Sequence, residues 1–173
     1  MPTFFRNALT AWLVMLLFIS TAHARTRAPR MLDIRVEGDH VMACIPADEG
    51  DTVAVDAAGV TAIGSGHYEA SDNIWGIELE PGQTPVVLGP GQCLAFAQRP
   101  DGYRTYVEPT ALKEGMPYSF SLRSPELGRH RTRNHSGDFC LRKSSSGLQA
   151  RNIPHSHQAI TAETCRRLFE QPS

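Results

Sequence analysis

The chain has 173 residues, of which 17 are Lys or Arg and 18 are Asp or Glu, and its formal net charge is -1 at pH 7. This near balance excludes the strongly basic composition that is typical of nucleic-acid-binding proteins, so no nucleic-acid partner is expected. The length exceeds the ~100–150 residues of a common domain only slightly, which predicts one folded domain with a core that needs no cofactor.

The first 24 residues are typical of an export signal. Arg6 supplies a positive start, residues 8–20 form an apolar run, and Ala22-His23-Ala24 matches the small-x-small pattern of a signal-peptidase site. Cleavage after Ala24 is expected, in a protein of the periplasm. The apolar run is shorter than the ~20 residues of a transmembrane helix, so no stable membrane insertion is expected after cleavage. A single uncleaved N-terminal anchor is the alternative.

The folded domain is predicted to begin with a hairpin, after a short basic arm at residues 25–30. Residues 31–37 alternate apolar and charged side chains, the period of two of a strand with one buried face. A Gly-Asp turn leads to a more buried strand at residues 41–45. A third, short strand is predicted at residues 52–55.

Further short strands follow a predicted loop at residues 59–72, which is first Gly-rich and then polar. Alternation returns at residues 75–79, and a brief apolar run at residues 85–88 precedes a Gly-Pro-Gly turn and a strand at residues 92–97. Strands of this length and spacing indicate a sandwich or a barrel.

One local pattern favours the sandwich. Leu112, Gly115 and Tyr118 are spaced i, i+3 and i+6, just before an alternating strand at residues 118–122. This spacing is similar to the tyrosine corner, in which a Tyr hydroxyl bonds the backbone a few residues upstream. The predicted fold is therefore all-β, an immunoglobulin-like β-sandwich with a short C-terminal helix.

The last third of the chain is predicted to be less regular. Residues 124–136 read as a long polar loop, and residues 138–143 as the last strand, which would end a sandwich domain spanning residues 31–143. The remaining tail, residues 144–173, contains a helix capped by Thr161 that runs to Phe169, with Pro172 beyond its end.

Four cysteines lie in the exported part: Cys44, Cys93, Cys140 and Cys165. An even number in an oxidising compartment indicates two disulfides, for which three pairings are open. Cys44–Cys93 with Cys140–Cys165 is favoured, because the first two lie in predicted core strands and the others can staple the tail. A zinc site is disfavoured, since no CxxC and no Cys/His finger spacing occurs.

Charge is distributed unevenly along the chain. Residues 31–120 hold 14 acidic and four basic side chains, whereas residues 121–173 hold nine basic and four acidic ones. An acidic body of this kind can steer a basic protein partner, and Asp48, Glu49 and Asp51 are the candidate binding residues. A solvated surface is the alternative interpretation. The same segment lacks the spacing of a calcium loop.

A basic stripe is the second candidate for partner binding. Arg129, Arg131, Arg133 and His135 alternate, so in an extended segment they would share one face and could hold phosphates or carboxylates. A flexible basic loop is the alternative. Few aromatic residues accompany the stripe, so it is not expected to bind single-stranded nucleic acid.

Catalytic and metal motifs are weak. His155 and His157, with His130 or His135, would make an imidazole site, but no carboxylate or thiolate stands at a fixed spacing, and solvated histidines are the alternative. The Ser-Gly segments do not match G-x-S-x-G. A non-enzymatic protein without a bound metal is therefore expected.

Four short segments carry a resemblance to a known family. They are G-D-H-V at residues 38–41 leading to C-I-P at 44–46, D-E-G-D at 48–51, G-P-G-Q-C-L at 89–94, and Gly115 before Y-S-F at 118–120. Together they resemble the type VI secretion immunity periplasmic (lipo)proteins, over about residues 32–141. The motif P-G-Q-C-L is the most specific of them.

The resemblance implies a small exported β-protein that protects a Gram-negative cell by binding and blocking a toxic effector delivered into the periplasm. It also supports the Cys44–Cys93 pairing. Family members commonly carry a lipobox Cys, which this chain lacks near Ala24, so a free periplasmic protein is expected; the tail from Ser144 lies outside the pattern. The alternative function is a small-ligand or metal-binding periplasmic module that uses the His- and Arg-rich C-terminal segment.

Overall fold

A computed structural model describes residues 30–64, 72–125, 132–145, 147–154 and 159–171. The predicted signal and most of the basic arm lie outside these ranges. Within them the chain forms strands and one helix: β1 (Arg30–Met31), β2 (Asp33–Glu37), β3 (His40–Cys44), β4 (Val53–Val55), β5 (Ala57–Ala62), β6 (Asn73–Leu79), β7 (Val86–Leu88), β8 (Cys93–Ala95), β9 (Tyr103–Val107), β10 (Pro117–Pro125), β11 (Thr132–Ser144), β12 (Gly147–Asn152) and α1 (Ala162–Glu170).

The largest sheet has seven strands. Their order is β1-β11-β10-β5-β6-β9, and β12 pairs with β11 next to β1. The β1–β11 pair is parallel and the other neighbours are antiparallel. Alternate residues of a strand share one face, and on β10 the inner face carries Tyr118, Phe120 and Leu122, which are all buried.

Two smaller sheets, β2-β3-β8 and β4-β7, supply the rest of the core. Val41 of β3 and Val53 of β4 belong to the same buried cluster as Trp75 and Phe120 of the large sheet. The Trp75 ring makes edge contacts with Phe96 and Phe120, at centroid distances of 5.7 and 5.8 Å. One core therefore joins the sheets, and the fold is an all-β sandwich with a short C-terminal helix, as predicted.

The N-terminal segment, β1 and β2, passes from one layer of the sandwich to the other. β1 pairs with β11, the Leu32 N–H still donates to Ser136 O at 2.9 Å, and β2 then pairs with β3. Gly137 makes this close passage possible, because a Cβ there would lie 2.8 Å from Leu32 O. On the same edge, the Asn152 side chain accepts from the Ile34 N–H at 2.9 Å and donates to Ile34 O at 3.1 Å. The two layers are thus joined by backbone as well as by packing.

The predicted tyrosine corner is present. The Lys113 N–H donates to the Tyr118 hydroxyl at 2.7 Å, and this hydroxyl faces Lys113 O at 3.4 Å. Gly115 has a φ of 72°, which places the turn between them in the left-handed region that favours glycine. The contact fixes the loop before β10 to the start of that strand, as in immunoglobulin-like sandwiches.

Tyr118→Phe should lower the free energy of unfolding by about 1–2 kcal/mol at pH 7, because the variant loses the hydroxyl that bonds Lys113. Burial raises the pKa of Tyr118, against the opposing effect of the Lys113 N–H. The raised pKa means that the folded state holds the Tyr118 proton more tightly than the unfolded state does. The resulting contribution to stability is complete below the unfolded pKa of about 10 and is lost as the pH rises from there through the raised pKa of the folded state. Urea unfolding at pH 7 and at about pH 11 gives the difference in free energy of unfolding between the wild type and Tyr118→Phe, and this difference should be smaller at the higher pH. An equal advantage at both pH values would contradict the assignment.

Three segments that the sequence assigned to loops or tail form strands instead. Residues 57–62 are β5, residues 132–136 begin β11, and residues 147–152 are β12. In β5, Gly59 lies opposite Gly76 and next to the Tyr106 hydroxyl. In each case the backbone hydrogen bonds to neighbouring strands outweigh weak local strand propensity. The predicted loops are therefore wrong at residues 59–62, 124–125 and 132–136, and the tail contains a strand besides its predicted helix.

The helix α1 is held against the outer face of β11 and β12. The disulfide Cys140–Cys165 joins it to β11, and Ile153 completes the small buried cluster under the helix. Arg151 and Arg142 lie over the Phe169 ring, with Arg142 4.7 Å from its centroid, and both donate to carbonyls at the helix C-terminus. Such cations also oppose the negative end of the helix dipole. Within the described ranges, no helix has the length and apolar character needed to cross a membrane.

Candidate functional site

The acidic loop, residues 45–52, lies at one end of the sandwich beside the turn at residues 89–92. The loop connects β3 to β4, and the turn connects β7 to β8. Because β3 pairs with β8 and β4 pairs with β7, the two connections cross side by side between the small sheets. The D-E-G-D and G-P-G-Q-C-L motifs, which are 41 positions apart in the sequence, are therefore neighbours.

The start of the acidic loop is fixed by a disulfide and by backbone hydrogen bonds. Cys44 and Cys93 stand directly opposite each other on β3 and β8 and form one of the two disulfides, as favoured from the sequence. The Ile45 N–H donates to Gln92 O at 3.0 Å, and the Gly91 N–H donates to Ile45 O at 2.9 Å. The first residues of the loop thus have little freedom to move relative to the turn.

The strand that follows the acidic loop, β4, is held in place by Tyr103. Its hydroxyl donates to Val55 O of β4 and accepts from the Val86 N–H of β7, the latter at 3.0 Å. Burial raises the pKa of Tyr103, and the nearby Asp56 charge raises it further, against the Val86 N–H. The phenol therefore stays neutral at physiological pH and keeps both hydrogen bonds. The small β4-β7 sheet is in this way bonded to β9 of the large sheet.

The acidic side chains themselves face solvent. Asp48 and Asp51 are exposed and Glu49 is half-buried. Within the described part of the chain, the Asp48 carboxylate takes part in no hydrogen bond or ion pair. The Asp48 carboxylate can therefore accept charge-assisted hydrogen bonds from Lys or Arg of another molecule, whereas Glu49 and Asp51 already take part in interactions within the chain.

The small β4-β7 sheet carries an exposed apolar side chain, Val87, that sequence reasoning missed. Val87 pairs with Ala54 and is 53% exposed, although its neighbour Leu88 is buried. All three residues of β7 are apolar, so the sequence does not show which face is buried. The pairing of β7 with β4 places Val87 on the outer face. An apolar contact beside acidic groups is the composition of an interface centre with a polar rim.

The basic stripe is described only at Arg133 and His135, which share one face of β11. His135 lies on the inner face of β11, opposite Leu122, and is only 4% exposed. Arg133 shares that face but is half-buried at the start of the strand, while Arg129 and Arg131 lie outside the described residues. Because the inner face of β11 continues into the core, His135 is not available to grip a ligand together with the arginines.

The proposed histidine metal site falls mostly outside the described residues, which do not include His130, His155 or His157. Among the residues that are described, no group of three or more His, Cys, Asp or Glu side chains is placed to hold a metal ion. His135, the remaining member, is buried in the sandwich.

A cavity of about 430 Å³ lies between α1 and the sheet, lined by Leu141, Arg142, Cys165, Arg166 and Phe169 among others. Its volume falls within the ~300–1,000 Å³ range of small-molecule sites. Its charged groups already have partners, however. Arg166 pairs with Glu163 and Glu170, and Arg142 bonds Phe169 O and covers its ring. A ligand there would have to displace contacts that hold the helix.

Comparison with known proteins gives no match to a protein-family model, a curated protein or a solved structure. The resemblance to type VI secretion immunity proteins therefore stays a prediction carried by the sequence motifs. The acidic loop with the adjacent turn is the candidate site, because it contains two of the sequence motifs and the fold brings them together.

Proposed function

We propose that this chain is a non-enzymatic periplasmic binding protein, an immunity protein that binds a type VI secretion effector and blocks it by occlusion. The observation that supports the proposal is the acidic loop, which starts directly after the Cys44–Cys93 disulfide and leads into β4, the strand whose Val55 carbonyl bonds the Tyr103 hydroxyl. A loop that is already ordered loses little conformational entropy when it meets a partner. The site needs no cofactor and no catalytic group.

Charge and apolar exposure define the partner that the loop would fit. Asp48, Glu49 and Asp51 favour a basic surface and would raise the association rate by steering, an effect that salt screens. Val87 adds an exposed apolar side chain on β7, which pairs with β4 directly after the loop. Export is supported by the two disulfides, which are typical of proteins outside the reducing cytosol.

The test uses the product of the neighbouring gene as the candidate effector. The triple variant Asp48→Asn, Glu49→Gln and Asp51→Asn should associate at least about 10-fold more slowly at low salt, because it removes the steering charges. Stopped-flow or surface-plasmon measurements at several salt concentrations give the rate, and effector toxicity in cells carrying the variant gives the biological result.

The matched control removes three charges elsewhere on the acidic body: Glu80→Gln, Asp101→Asn and Glu108→Gln. These side chains are exposed, and the two triple variants change the net charge by the same amount. The control should keep most of the association rate. Equal losses in the two variants would move the site away from the loop, and no complex together with unchanged toxicity would overturn the proposed function.

A further inference from the structure

A second, smaller cleft opens between the layers at the other end of β3. Val41 and Leu141 form its buried floor, and Phe96, Leu112 and Leu148 form half-buried walls. Its volume is about 210 Å³. The acidic loop follows Cys44 at the end of β3, whereas the cleft lies at its start, so the two sites are separate.

The rim of this end cleft carries two polar side chains with no partner in the described chain. Asp39 and His40 belong to the β2–β3 hairpin, and both are exposed. Neither side chain takes part in a hydrogen bond or ion pair with another described residue. This distinguishes the end cleft from the 430 Å³ cavity under α1, whose charges pair with one another.

The volume of the end cleft limits the size of the group that it can accept. Pockets for whole small-molecule ligands have volumes of ~300–1,000 Å³, which the end cleft does not reach. It is large enough for one aliphatic or aromatic side chain, and its apolar lining favours such a group over a polar one. Buried pockets that accept one large side chain of a partner are the usual centres of protein interfaces.

The charge at the rim of the end cleft determines which type of residue is favoured next to the inserted side chain. Asp39 stands at the mouth of the cleft, and Glu37 on the same hairpin is also exposed. A cation next to the inserted side chain would lie close to the Asp39 carboxylate, whereas an anion there would be repelled. The rim therefore favours a basic residue beside an apolar one.

We propose that the end cleft is a second docking site, which takes one aliphatic or aromatic side chain of a protein partner together with an adjacent Lys or Arg. The site stands apart from the proposed function, since it shares no residue with the acidic loop. A partner engaged there leaves the acidic loop accessible.

The test is an NMR titration of the oxidised protein with capped dipeptides. N-acetyl-Leu-Lys-amide is the probe, and the matched controls are N-acetyl-Leu-Glu-amide and N-acetyl-Gly-Lys-amide. The probe should shift the resonances of Val41, Phe96 and Leu148. The glycine peptide should bind about 10-fold more weakly, because it lacks the side chain that the cleft buries. The acidic peptide should also bind more weakly than the probe.

Two variants locate the contacts. Asp39→Asn should weaken the Lys peptide about threefold at low salt and leave the Glu peptide no weaker than before. Leu112→Trp should fill the cleft and abolish the shifts. Asp39 is exposed, so its variant keeps the test valid even if Leu112→Trp does not fold.

Equal binding of the Lys and Glu peptides, or shifts that lie away from the cleft residues, would overturn the proposal. Concentration-dependent shifts at the cleft without peptide would also overturn it, because the occupant would then be a second copy of this chain.

Discussion

Replacing Cys44 and Cys93 together by Ala should lower the free energy of unfolding by about 4 kcal/mol. The disulfide closes a loop with a sequence separation of 49 residues, and opening it gives the unfolded chain that amount of conformational entropy. Domains of this size have a total stability of roughly 5–15 kcal/mol, so the variant should lose between about a quarter and four fifths of its stability. Guanidinium unfolding followed by Trp75 fluorescence measures the change.

The control for this experiment is the double variant Cys140→Ala and Cys165→Ala. Its shorter loop predicts a comparable entropic loss, but the bond joins α1 to the outer face, away from the main core. We expect the helix to detach first, with lost amide protection over residues 162–170 and little change around Trp75. If the Cys44 and Cys93 variant lost less than about 1 kcal/mol, the proposed fixing of the acidic loop would be wrong.

Gly137→Ala should lower the free energy of unfolding by about 2–3 kcal/mol. The new Cβ would lie 2.8 Å from Leu32 O and 2.9 Å from the Ile34 side chain, which is buried in the core. Gly137 has no left-handed φ, so Ala can adopt its backbone conformation and the cost comes from the contact alone. To relieve it, the strand that passes between the layers must move away from β11.

Gly76→Ala is the matched control. Its Cβ would meet the Tyr106 ring at 2.4 Å, an even closer approach, but Tyr106 is 55% exposed and can swing into solvent. The loss should stay within about 1 kcal/mol, partly offset because Ala also restricts the unfolded chain. Urea unfolding of both variants gives the comparison. Equal losses would show that the approach of β1 and β2 to β11 is not tight.

Much of the fold follows from local patterns in the sequence. Alternation at residues 31–37 and 118–122 predicts strands because one face of each is buried, and the spacing of Gly115 and Tyr118 predicts the corner. The strand at Gly59 could not be found in this way. Its place depends on pairing with Gly76 and Ser121, and the side chain beside it, Tyr106, is distant in the sequence.

The candidate site was predictable only in part. The acidic residues and the favoured disulfide are visible in the sequence, since charge and cysteine position are local information. The contribution of Tyr103 depends on β4 and β7 pairing next to β9, and the exposure of Val87 depends on the same pairing. Alternation at Arg133 and His135 predicts their shared face but not that His135 is buried, because periodicity does not identify which face of a strand meets the core.

The passage of the first strand between layers also bears on the order in which the chain can fold. Arg30 pairs with His135, and Ile34 is bonded to Asn152, 118 positions later. A chain that emerges N-terminus first cannot complete its opening strands until most of its length is present. Contacts so distant in sequence close slowly. The incomplete chain therefore keeps its N-terminal edge unpaired until the last third of its length is available.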